Sequence, residues 1–193
     1  MPRVKTFDEN EVLIKAMNLF WKQGYSATSV QDLVSHLGIN RASLYDTFGD
    51  KEQLFKKSFA LYRKSSIEGL IQFFKTRPNV KNGFSELFDI AIQEAILDKE
   101  AKGCFVVNTT TELIPNDESL IQVVEDNKRD IENLFYEYLK NGKDNGQLKT
   151  NQDLRSLSSL LFMLYNGIKV VSKINPQKKK LKGSIDLALS LLS

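Results

Sequence analysis

A single cysteine and a single histidine in 193 residues leave little room for most site chemistries. With Cys104 alone, an internal disulfide and a cysteine-rich zinc module are excluded. With His36 alone, so is every metal motif that needs two histidines, and any Ser-His or Cys-His catalytic pair would depend on that one imidazole. There is no glycine-rich phosphate loop. No apolar run reaches the roughly 18 residues of a membrane span, and the amino-terminal MPRVKTFDENEV lacks the apolar segment of a secretory signal. These absences predict a cytoplasmic protein without metal, cofactor or membrane partner, and they leave an enzymatic reading without a motif. Hydrophobic residues make up 41% of the chain, enough to build a core. The net charge is +3, and its placement matters more than its size. Residues 1–64 hold 10 Lys and Arg against 7 Asp and Glu, whereas residues 65–193 hold 17 of each. That field is weak, so any affinity for nucleic acid must come from placed contacts and from symmetry.

The densest information lies in residues 28–55, TSVQDLVSHLGINRASLYDTFGDKEQLF. Three helix starts are written there: Thr28 with Gln31 three residues on, Asn40 before RASLYDTF, and Asp50 with Gln53. Each short polar side chain can accept from backbone N–H groups that a helix start leaves unpaired. The spacing predicts a helix over about residues 29–37 that buries Val30, Leu33, Val34 and Leu37 and ends on a left-handed Gly38. Ile39 then plugs the turn. A second short helix, about 41–48, buries Leu44 and Phe48 and stops at Gly49. Two short helices around a turn containing glycine form a helix-turn-helix, whose second helix can enter the DNA major groove.

The residues Gly24-Tyr25, Thr28, Ser29, Ile39, Leu44-Tyr45, Phe48, Asp50-Lys51-Glu52 and Leu54-Phe55 closely resemble the DNA-binding domain of TetR/AcrR-family transcriptional regulators. The likeness is dense from about residue 7 to residue 60 and rests beyond that on size, helical pattern and one local motif. No segment of the chain has strand periodicity, so an all-α protein of about nine helices is expected. A three-helix helix-turn-helix DNA-binding domain would occupy residues 1–50, and a larger helical ligand-binding and dimerisation domain residues 51–193.

The rest of the chain fits that plan. A capping box from Thr6 to Glu9 predicts a first helix running to about Lys22, with Leu13, Ala16, Met17 and Phe20 bracing the helix pair. Arg3 and Lys5 ahead of it form a basic arm, in reach of phosphates or simply solvated. A long helix over 51–75 is stopped by Pro78. Further helices are expected at about 83–98, 103–114, 118–141, 152–174 and 183–192, separated by Gly103, Pro115-Asn116-Asp117, Asn141-Gly142, Asn145-Gly146 and Asn175-Pro176. The basic run Gln177–Lys180 reads as a solvated loop.

Leu157, Leu161, Leu164 and Ile168, and then Ile185 and Leu192, recur at helical spacing, which suits either an ordinary core or a four-helix bundle between two subunits. The family resemblance favours the second and implies a homodimer, which would set two reading helices on a palindromic operator in double-stranded DNA. It also implies a pocket for a small-molecule effector, for which Phe84, Phe88, Cys104, Phe105, Phe162 and Tyr165 are the candidates. The segment KGCFVVNTTTEL, 102–113, resembles a motif of one subset of the family in which Gly-Cys begins the sixth helix. Cys104 is then either a reactive thiol at a helix start near Lys102, able to sense oxidants or electrophiles, or a buried inert residue packed on Phe105 and Val106.

For DNA, Thr28 is expected to donate to a phosphate, Arg41 to read guanine, Ala42 to meet a thymine methyl and Ser43 to reach base or phosphate. Tyr45 and Lys51 match family positions that clamp phosphates, while Asp46 would accept from cytosine or orient Arg41. The leading expectation is a transcriptional repressor released by a small ligand or oxidant. The alternatives are a helical interaction or ligand-carrier protein without DNA binding, and an enzyme using Cys104.

Overall fold

The computed structural model describes residues 7–114, 118–174 and 176–193, and the described residues form helices with no strand among them. Nine α-helices follow one another among these residues: α1 (Glu9–Gln23), α2 (Val30–Leu37), α3 (Arg41–Phe48), α4 (Lys51–Lys75), α5 (Val80–Leu97), α6 (Phe105–Leu113), α7 (Ile121–Asp144), α8 (Leu154–Val171) and α9 (Lys178–Leu189). The Arg3–Lys5 arm, Thr6, the turn Pro115-Asn116-Asp117 and Asn175 lie outside the described residues.

Local chemistry explains most boundaries and moves several of the expected ones. Helix α1 starts later than the Thr6 box predicts, because Asp8 caps it by accepting from the N–H groups of Asn10 (2.7 Å) and Glu11 (3.2 Å). Helix α2 is capped by Ser29, not Thr28. Its hydroxyl accepts from Asp32 N–H at 3.1 Å while the Asp32 carboxylate accepts from Ser29 N–H at 2.9 Å, a reciprocal box. Asn40 and Asp50 cap α3 and α4 as expected, each accepting an N–H three residues on at 2.8 Å. Gly38 closes α2 at φ 68°, the left-handed region where a side chain would be strained.

Asn141-Gly142 does not end α7. Gly142 lies inside it, buried, because a Cβ there would sit 2.6 Å from Val80 Cγ2; the glycine permits a close crossing with α5. The basic run Lys178–Lys180, expected as a loop, is the first turn of α9, where lysine is a good helix former and the charged ends still reach water.

Two apolar cores form, and α4 belongs to both. The first gathers Val12, Ala16, Phe20, Leu33, Leu37, Ile39, Leu44 and Phe48 with Leu54, Phe55 and Phe59 from the first half of α4. Phe105 of α6 closes it, its ring meeting Phe55 and Phe59 edge-on at centroid distances of 5.8 and 5.5 Å. The second core takes Leu70 and Phe74 from the other half of α4 and packs them with α5, α7, α8 and α9.

This second core corrects the expectation for the last helices. Leu157, Leu161, Ile168, Ile185 and Leu192 are all buried inside the subunit, and Leu164 packs half-buried against them. A 3-4 apolar stripe specifies only a face to be covered, and here α7 covers α8 while α5 covers α9. On and just after α8 and α9, other apolar side chains are left in water: Met163 (60% exposed), Val170, Val171, Ile174 (89%), Leu187 (74%) and Leu191. Gly167, on α8, has open space where a Cβ would point.

Candidate nucleic-acid interface and the cavity behind it

Helix α3 is held by one side and bare on the other. Leu44 and Phe48, one turn apart, are buried in the first core, so the rest of the eight-residue helix is committed to the surface. Arg41, Ala42, Tyr45 and Asp46 are exposed, and Ser43 and Thr47 half-buried. The Arg41 guanidinium lies 5.8 Å from the Tyr45 ring centre, within cation–π range, so two long side chains share one stretch of surface. Asp46 makes no ion pair among the described residues, and so does not orient Arg41. Lys51, in the first turn of α4, is half-buried with its ammonium 4.2 Å from the Tyr25 ring centre. Burial lowers its pKa, partly opposed by the carboxylate of Glu112.

Thr28 departs from its expected role. It is fully buried, and its hydroxyl donates to Gly24 O at 2.6 Å, with Gln23 Oε1 at 3.4 Å. Its hydrogen is committed inside the loop that joins α1 to α2. The cue for a cap, a threonine followed by a polar residue three positions on, is met equally by Ser29 with Asp32, and backbone geometry chose the latter.

That loop is tied to the larger half of the molecule. Glu112 of α6 accepts from two consecutive backbone N–H groups, Tyr25 (3.1 Å) and Ser26 (2.7 Å). The Trp21 indole donates to Gly103 O at 3.1 Å, and Lys22 pairs with Glu100. Four bonds thus fasten the end of α1 and the start of the helix pair to the segment 100–112.

Behind them lies a cavity of about 260 Å³. Its wall is built by Trp21 of α1, Tyr62 of α4, Ala91, Glu94, Ala95 and Asp98 on and just beyond α5, the Ala101–Gly103 connector, and Lys169, Ser172 and Lys173 on and after α8. Burial, with Cys104 beside it, raises the Tyr62 phenol above its ordinary range. Burial also works against the charge of Lys169, but Tyr165, Cys104 and Glu94 outweigh it and hold the pKa up.

None of the six residues expected to line a pocket lines this one. Phe84 and Phe88 are sealed in the second core, where Phe84 and Phe135 meet edge-on at 5.3 Å; Phe162 packs half-buried on the same core, and Phe105 closes the first. Aromatic rings that pack on one another leave no void, and the space lies instead where α1, α4, α5 and α8 come together. Tyr165 borders a separate recess of about 180 Å³ and supports Lys169, whose ammonium is 3.9 Å from its ring centre. Cys104 sits behind the wall as the cap residue of α6, buried, with its sulfur 3.8 Å from the Tyr62 hydroxyl. The residues that do line the cavity had weaker signals: the chain's one tryptophan, and a lysine placed in the apolar run of α8.

Comparison with known proteins bears on both surfaces. Residues 12–57 match the sequence model of bacterial regulatory proteins of the tetR family, and residues 85–186 match that of the tetracyclin repressor-like C-terminal domain. The chain is 32% identical over 193 residues, the full length of both, to YezE of Bacillus subtilis, described as an uncharacterized HTH-type transcriptional regulator. It is 28% identical over 181 residues to the HTH-type transcriptional repressor ComR of Escherichia coli, covering 93% of this chain and 86% of that one. Among solved structures it superposes with a TM-score of 0.86 on the regulator CifR, a cysteine mutant complexed with 26-base-pair operator DNA; the identity is 25%, over 99% of this chain and 100% of that one. No helix among the described residues is long and apolar enough to cross a membrane.

Proposed function

The chain belongs to the TetR family of bacterial regulatory proteins, DNA-binding transcriptional regulators, and from that premise we propose how it works: as a cytoplasmic homodimeric repressor released from a palindromic operator by a small molecule. The observation that carries this reading is the bare face of α3, which the fold holds by Leu44 and Phe48 and leaves with a cation, an aromatic hydroxyl and small side chains in water. Arg41 reads a guanine edge, Ala42 and Ser43 approach the neighbouring bases, and Tyr45 and Lys51 hold the backbone on either side. Asp46, which makes no ion pair among the described residues, accepts from a cytosine amino group. The phosphate role expected of Thr28 is not part of this reading.

The DNA-binding part extends through the first half of α4, because Leu54, Phe55 and Phe59 belong to the first core; the functional division falls within that helix and not at residue 50. Two subunits meet through the exposed faces of α8 and α9, with Met163, Val170, Val171, Ile174, Leu187 and Leu191 covered by the partner and Gly167 allowing the helices to approach. With α8 and α9 fixed in a dimer, an occupant of the cavity that displaces Lys102–Gly103 pulls on the bonds from Trp21, Lys22 and Glu112, and so alters the spacing of the two α3 helices.

A mobility-shift titration with DNA from upstream of the protein's own gene tests the reading. Expected is a discrete footprint and an affinity that falls steeply with salt. Equal affinity for unrelated DNA, without a footprint, would favour the interaction or carrier module.

A further inference from the structure

The cavity walls are chemically uneven. Trp21 and Tyr62 meet edge-on at 4.9 Å and, with Ala91 and Ala95, give an apolar side. The same wall carries three lysines, Lys102, Lys169 and Lys173, and their engagements differ: the Lys102 ammonium lies over the Trp21 ring, 5.0 Å from its centre. Lys102 faces Glu100 at 3.5 Å, and Lys173 donates to Asn108 Oδ1 at 2.8 Å. Lys169 has no carboxylate within ion-pair distance among the described residues; its surroundings are the ring face and hydroxyl of Tyr165, Cys104 and the more distant Glu94. Of the two acids in the wall, Asp98 accepts from Gly103 N–H at 3.0 Å, and Glu94 is exposed at the rim. A half-buried ammonium facing a ring and no carboxylate is a charge whose best partner is missing.

Size narrows the choice. A cavity of about 150 Å³ accommodates benzene, and drug-sized ligands occupy roughly 300–1,000 Å³. At about 260 Å³ this one fits a single ring, or a short chain, with one polar group attached.

We propose that the effector is a small organic acid, its carboxylate on Lys169 Nζ and its apolar body against Trp21, Ala91 and Ala95. This deepens the reading of the chain as an effector-released regulator and depends on it only for the consequence on DNA. Binding itself is readable without DNA, because Trp21 is the chain's one tryptophan and stands in the wall.

The test titrates the full-length protein with benzoate, phenylacetate and hexanoate, each beside its neutral amide, and with benzylamine, following Trp21 fluorescence and calorimetric heat. At least one acid should bind about ten- to a hundred-fold more tightly than its amide, the worth of a charge-assisted hydrogen bond. Lys169→Gln should erase that preference and Lys169→Arg retain it. If no acid outperforms its amide, or if benzylamine binds best, the proposal is overturned; the comparison in the unaltered protein stands whether or not the variants fold. Preference for an acid together with undisturbed operator binding would leave the site in place and remove the regulatory reading instead.

Discussion

Replacing Leu187 by aspartate decides which face of the last two helices the subunits share. In the isolated subunit Leu187 is 74% exposed, so the substitution changes the fold by no more than the few tenths of a kcal/mol typical of surface sites. Burying a leucine fully is worth about 1.5–3 kcal/mol, and three quarters of that is still available here, about 1–2 kcal/mol per subunit. Two-fold symmetry counts it twice. The loss is therefore about 2–4 kcal/mol before the cost of an unpaired carboxylate on each side, which brings the change to at least about 4 kcal/mol, or about a thousand-fold in dimer dissociation. Sedimentation equilibrium across a concentration series measures it, with circular dichroism to confirm that helix content is unchanged. Leu157→Ala is the contrasting variant: Leu157 is buried in the second core, so its truncation should lower folding stability by about 2–5 kcal/mol while leaving the interface surface intact. A Leu187→Asp protein that stays as dimeric as the original, or a Leu157→Ala protein that dissociates without loss of melting temperature, would refute the assignment of faces.

Three further outcomes are expected. On the operator, Arg41→Ala should cost about 1–3 kcal/mol and relax preference at one base pair, whereas Tyr45→Ala should weaken all sequences alike; quantitative footprinting on point-substituted operators separates the two, and unchanged affinity in both means that α3 does not read DNA. Thr28→Val should lower stability by about 1 kcal/mol, a fall of roughly 2–4 °C in Tm, through loss of the bond to Gly24 O. It should leave the salt dependence of DNA binding unchanged, and a slope reduced by one phosphate contact would restore Thr28 to the interface. The carboxyl of Asp32 is held below its ordinary value of 3.8 by the Ser29 hydroxyl first and the Ser29 N–H second. Because the folded pKa is the lower one, the contribution is fully present above that value and is lost as pH falls through the folded pKa. Ser29→Ala should move the Asp32 titration, followed by carboxyl carbon NMR, up toward 3.8; an unmoved titration would mean the hydroxyl is not its main partner.

Much of this protein was legible in short-range pattern. The Asn40 and Asp50 caps, Gly38 and the spacing of Leu33, Leu37, Leu44 and Phe48 operate within one or two turns of helix, so the sequence alone determined the helix pair, its turn and the bare side of α3. An apolar stripe, by contrast, says that a face is covered and not by what. Only tertiary packing decided that α5 and α7 cover Leu157, Leu161 and Ile185 within the subunit, leaving Met163, Ile174 and Leu187 in water. The cavity was hidden for a related reason. Its wall brings together Trp21, Tyr62, Glu94 and Lys169, residues remote in sequence whose meeting depends on how α1, α4, α5 and α8 cross. Likewise Glu112 reaches the amides of Tyr25 and Ser26 across 87 and 86 positions. Local chemistry is fixed by neighbours along the chain, and the bonds that tie the end of α1 and the loop after it to the segment 100–112 exist only once the two cores have closed on α4.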